Sequence, residues 1–79
     1  MRNIKVGSKW RHFKNIEVEI IALAKDADDL SDLVVYSHNG ECWVRDKNEF
    51  LSLVDHEKYP NVSQKYRFEL IGDENVWYT

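Results

Sequence analysis

The stretch "LVVYSHNGECWVR", Leu33 to Arg45, decides how the chain folds. Two runs rich in β-branched and aromatic residues flank Asn39-Gly40. That pair is the strongest short-range hairpin signal, because the tight type I′ turn needs positive φ at both central residues. With these two residues as the loop, His38 faces Glu41, Ser37 faces Cys42, Tyr36 faces Trp43, Val35 faces Val44 and Val34 faces Arg45. Side chains alternate across a sheet, so Leu33, Val35, Ser37, Cys42 and Val44 share one face. Val34, Tyr36, His38, Glu41, Trp43 and Arg45 share the other. The first set is small and mostly apolar and reads as the core face, which turns Cys42 inward as an inert thiol. The second is large, aromatic and edged with charge, and is expected to face outward.

Upstream, "KWRHFK" and "IEVEI" alternate at the strand period, with Ile16, Val18 and Ile20 opposite Glu17 and Glu19. Lys14-Asn15 between them predicts a tight turn, since Asn tolerates the left-handed conformation. That turn sets His12 across from Glu17 and Trp10 across from Glu19, with Arg11, Phe13, Ile16 and Val18 on the opposite face. In "IIALA" the alternation is lost, as where a strand becomes buried on both sides or bends through a bulge. Downstream, "DKNEFLSLV" predicts one or two helical turns capped by Asp46, with Phe50, Leu51, Leu53 and Val54 toward the core. "KYRFELI" is a final strand. The tail "GDENVWYT", residues 72–79, carries Trp77 and Tyr78 and is expected to add an edge strand or dock on the sheet.

The whole predicts one mainly β domain over residues 1–79: a small antiparallel barrel of about five strands with one short helix or 3-10 turn. Closing the sheet hides its edges. At 79 residues there is room for one domain, and a catalytic constellation with its own pocket would be difficult to enclose. A single cysteine rules out an internal disulfide and a multi-cysteine zinc site. The opening "MRNIKVGSKW" lacks the apolar run of a signal peptide, and no stretch reaches the roughly 20 apolar residues of a membrane span. A cytoplasmic setting with no membrane contact is expected. Net charge is −3, yet Arg2, Lys5, Lys9, Arg11 and Lys14 all precede the first acid, Glu17.

Metal and cofactor sites are not expected. His12, His38 and His56 lack any metal-ligand spacing, and Cys42 and His38 point to opposite faces. "DADDLSD" lacks the turn glycine and the terminal glutamate of a calcium loop. No nucleophile motif or glycine-rich phosphate loop is present, so His12–Glu17 or His38–Glu41 as a general-base pair stands alone, and an enzyme is not expected.

The residues also resemble a known family. "RHFK" at Arg11–Lys14, "LVVY" at Leu33–Tyr36, "WVR" at Trp43–Arg45, Phe50 and "YRFELI" at Tyr66–Ile71 resemble, in order and spacing over Gly7 to Ile71, the small bacterial domain of unknown function 1653. The resemblance implies an SH3-like β-barrel of bacterial or phage origin over residues 7–71, and brings no biochemical activity with it. The family pattern has a longer glycine-containing connection where this chain has "SHNGEC", and a proline where it has Asp46. Of the matched positions, Phe13 and Phe50 read as core, and His12, Tyr36, Trp43 and Arg45 as candidates for a binding surface.

Three functions are weighed. The first is a non-catalytic binding module in which Trp43, Tyr36, Arg45, His12 and Trp10 hold a protein segment or small ligand. The second is single-stranded nucleic acid bound by the same aromatics with Lys9, Arg11 and Lys14 tracking phosphates. The third is a structural or oligomeric role through the tail, the protein being a monomer or weak dimer. The alternative for the aromatics is burial, covering the barrel's second core or packing under the tail that bears Trp77.

Overall fold

The Asn39-Gly40 hairpin forms in the register the sequence predicts, with both turn residues at positive φ (54° and 77°). In the computed structural model, residues 2–71 are described; Met1 and residues 72–79, including the tail with Trp77 and Tyr78, lie outside the described residues. Five strands and one short helix follow in order: β1 Lys9–His12, β2 Ile16–Lys25, β3 Asp32–His38, β4 Glu41–Asp46, α1 Lys47–Phe50 and β5 Phe68–Ile71. They make one antiparallel sheet of order β4-β3-β2-β1-β5. The expected mainly β architecture is therefore present. Among the described residues hydrogen bonding does not close it, because β4 and β5 remain the two edges.

The sheet is nevertheless strongly curled. Tyr36 on β3 and Phe68 on β5 are separated by β2 and β1, a spacing of about 14 Å in a flat sheet. Their ring centroids lie 5.5 Å apart. Into this concave side drops α1, a single turn whose Asp46 carboxylate accepts from the backbone N–H of Asn48 and Glu49 at 2.8 and 3.3 Å. It delivers Phe50 to the centre, where the ring stacks on Phe68 at 4.0 Å and meets the Trp10 ring edgewise at 5.3 Å. Val18, Ile20, Val34 and Ile4 complete the core. Val54 is buried as expected, whereas Leu53 is exposed and bridges to Tyr66.

Two expectations are corrected. The first hairpin is slipped by one residue: Phe13, Lys14 and Asn15 form the loop, with Asn15 at φ 67°, so His12 pairs with Ile16, Arg11 with Glu17 and Trp10 with Val18. A three-residue loop ending in a left-handed residue is a favoured hairpin closure, and it lets Trp10 join Val18 on the apolar face. The predicted His12–Glu17 pairing does not form; Arg11 and Glu17 approach at 4.0 Å instead. The second correction is the polarity of the other hairpin. Val34 and Tyr36 are buried, while Cys42 is exposed and Val44 is 59% exposed. The aromatic face is the inner one because it offers far more apolar area to bury than the face of Ser37 and Cys42.

Irregularities elsewhere have local causes. The lost alternation in "IIALA" is a bulge between Ile20 and Ala22. The acid-rich loop engages its carboxylates in its own turn: Asp26 accepts from the N–H of Asp28 and Asp29, and Asp32 pairs with Lys25 at 2.6 Å. No cluster of ligands that could hold a metal, and no helix long and apolar enough to cross a membrane, occurs among the described residues.

Candidate ligand-binding groove

The curl brings residues from all five strands to one concavity of about 270 Å³. Ile16 and Val18 of β2, Tyr36 of β3 and Phe68 of β5 make an apolar floor. Trp43, across from Tyr36 on the edge strand β4, stands over it and is 47% exposed. His12, Lys14 and Arg45 line the same groove, and so does His38, while among the described residues no acidic side chain does. A neighbouring depression of about 300 Å³ shares His12, Lys14 and Arg45 and continues past Lys58, Tyr59 and Arg67. The three shared residues therefore form the ridge between the two.

His12 is fixed by its surroundings. Its Nδ1 accepts the backbone N–H of Lys14 at 3.1 Å, so the ring proton sits on Nε2. The ring lies 4.4 Å from Phe13 and meets Phe68 edgewise at 4.9 Å. Burial, and then the fields of Arg45, Arg67 and Lys14, push its pKa down from 6.5 to about 4. At neutral pH it is an uncharged donor inside a cationic cluster.

Arg45 reaches in from β4, its guanidinium 5.9 Å from the Phe68 ring and 3.7 Å from exposed Glu49, four residues on. Its Nε is buried and has no hydrogen-bond partner among the described residues. Other arginines are tied down. Arg2 donates to the carbonyls of Phe68 and Leu51 and lies 3.8 Å over the Tyr66 ring, and Arg67 Nε donates to Ser52 Oγ at 3.2 Å.

Four of the five residues expected to form a binding surface, His12, Tyr36, Trp43 and Arg45, thus meet. Trp10 does not: it is 1% exposed, and its Nε1–H donates to Ser8 Oγ at 3.0 Å beneath the core. Of the basic set only Lys14 lines the groove. Lys9 and Arg11 alternate with Trp10 and His12 and so project from the opposite face, across from Glu19 and Glu17. Phe13, expected in the core, lies half-buried in the hairpin loop against Tyr59 at 4.9 Å. Phe68 and Ile16, which complete the floor, were not singled out. Their alternation with polar neighbours placed them on a buried face, but only the curl makes that face concave.

A protein-family model described as "Protein of unknown function (DUF1653)" matches residues 8–70. No curated protein and no solved structure matches the chain. The matched span takes in every strand nearly to the end of β5, and the chain belongs to this family.

Proposed function

We propose that this DUF1653 domain is a non-catalytic binding module whose concave groove receives a flat apolar group of a protein segment or small ligand. The observation that carries the reading is Trp43, a large indole half exposed at the lip of an apolar floor, when the other described tryptophan is almost fully buried. Aromatic walls of this kind give contact area at little entropic cost. The volume of about 270 Å³ lies just below the range of about 300–1,000 Å³ usual for ligand pockets, which suits a single ring system. An exposed Cys42 thiol is in keeping with a reducing, bacterial cytoplasmic setting.

Nucleic acid is the less favoured ligand. Lys9 and Arg11, which were to follow the phosphates, face away from Tyr36 and Trp43.

The test is a titration of the labelled protein with free indole and with an N- and C-capped phenylalanine, followed at the indole N–H resonances. Saturable shifts at Trp43 and at the amides of Tyr36 and His12, with Trp10 unmoved, are expected. Both probes leaving Trp43 unmoved would contradict the reading.

A further inference from the structure

We infer that the groove selects an anionic ligand, a single flat ring bearing a carboxylate or a phosphate, with the ring against Trp43 and Ile16 and the anion against Lys14 and Arg45. This rests on the binding-module reading and narrows its ligand.

Three observations converge. First, donors outnumber acceptors there. Among the described residues, nothing accepts from Lys14 Nζ or from the Arg45 guanidinium, apart from the long, exposed contact to Glu49 at 3.7 Å. With Nδ1 occupied, His12 presents an Nε2–H that likewise has no acceptor among them. Second, these cations gather against the charge of the chain. The protein carries a net −3, yet among the described residues no acid lines the groove. Arg45 does approach Glu49 at 3.7 Å, as Arg11 approaches Glu17 at 4.0 Å, but Glu49 does not line the groove, and Lys14 has no carboxylate partner among the described residues. Third, the cations flank an apolar floor, so one ligand can place a ring on the floor and an anion on the ridge. A guanidinium and an ammonium that line one groove, with Glu49 at 3.7 Å from Arg45 as their one carboxylate contact among the described residues, are suited to charge-assisted hydrogen bonds to oxyanions.

The low pKa of His12 follows first from burial and then from these same cations. Facing the imidazole are Lys14 from its own hairpin, Arg45 from β4 and Arg67 from the segment before β5, with Lys58 and Asp55 lining the adjoining depression. A bound anion offsets the cationic field and raises the midpoint of His12 from about 4. By linkage, the anion then binds more tightly as pH falls toward that midpoint.

The experiment compares matched pairs: indole-3-acetate with indole-3-acetamide for a carboxylate, and phenyl phosphate with phenol for a phosphate. Affinities are read from Trp43 indole shifts, and the His12 ring resonance is titrated in parallel. The anionic member of at least one pair should bind about tenfold more tightly, with the gap narrowing as salt is added. Arg45→Gln and Lys14→Gln should each reduce that preference severalfold while the neutral probe still binds. Lys14 is exposed and remote from the core, so its variant serves if Arg45→Gln unfolds. The His12 midpoint should rise with the acids and stay put with the neutral probes.

Equal binding of acid and neutral partner overturns the anion preference and leaves the binding module standing. Preference retained in both variants overturns the assignment to Lys14 and Arg45. Silence of Trp43 toward all four probes removes the module and the preference together. An oligonucleotide that outcompetes the small acids and shifts Lys9 and Arg11 would replace the small ligand with a nucleic acid.

Discussion

Trp10 and Trp43 carry the same side chain into opposite surroundings, one enclosed in the core and one half exposed at the lip of the concave side. Strand periodicity reports which residues share a face, and for the second hairpin it sorted the residues into the right sets. It does not say which set faces inward. Small residues on one side and large ones on the other suggested the small set as core, but Tyr36 and Val34 bury more area, and area decides. His12 shows the reverse gain: its chemistry comes wholly from tertiary neighbours. Its pKa of about 4 lies below the 6.5 of the unfolded chain, so the unfolded state takes up the proton first as pH falls. Stability from this group is therefore complete above pH 6.5 and declines between 6.5 and 4. Urea midpoints at pH 7 and pH 4.5 should differ less in His12→Phe than in the unaltered protein. An equal acid loss in both would show that His12 is not held neutral by the fold.

At the scale of elements, turn chemistry explains what was legible. Asn39-Gly40 permits one tight closure and its register was read correctly. Lys14-Asn15 permits more than one, and the loop took in Phe13, so every pairing along β1 moved by one residue. The bulge in β2 announced itself as broken alternation, and the Asp46 cap as a carboxylate ahead of an apolar run. By contrast, Arg2 and Ile4 carried no local signal. Ile4 joins the core and Arg2 bonds to carbonyls 49 and 66 residues away, contacts set only by tertiary packing. Since α1 is one turn long, its cap matters more than its propensity. Asp46→Ala is expected to lower stability by about 1 kcal/mol in urea denaturation. Because α1 delivers Phe50, it should also shift the amides around Phe68. A variant with unchanged stability would mean that packing alone holds the turn.

For the molecule as a whole, curvature is the property that turns a sheet into a site. No residue of the groove is unusual by itself, and the strands that supply them are not all neighbours. The stacked pair Phe50–Phe68, with Tyr36 and Trp10 around it, pulls β5 and β3 together and leaves a furrow at the end where the core runs out, between His12 and Trp43. The family pattern was visible in the sequence in residues of these strands, with an expected span of 7–71 against a match to 8–70. The concavity was not visible, since it depends on how far the sheet bends. The most direct test is therefore a measurement of the bend: nuclear Overhauser effects between ring protons of Tyr36 and Phe68, and between the Arg45 side chain and Phe68. With centroids 5.5 Å apart and the guanidinium 5.9 Å from the ring, both sets of cross-peaks should be present. If both are absent while the β1–β5 and β2–β3 backbone contacts are seen, the sheet is flat, the groove does not exist, and the account fails.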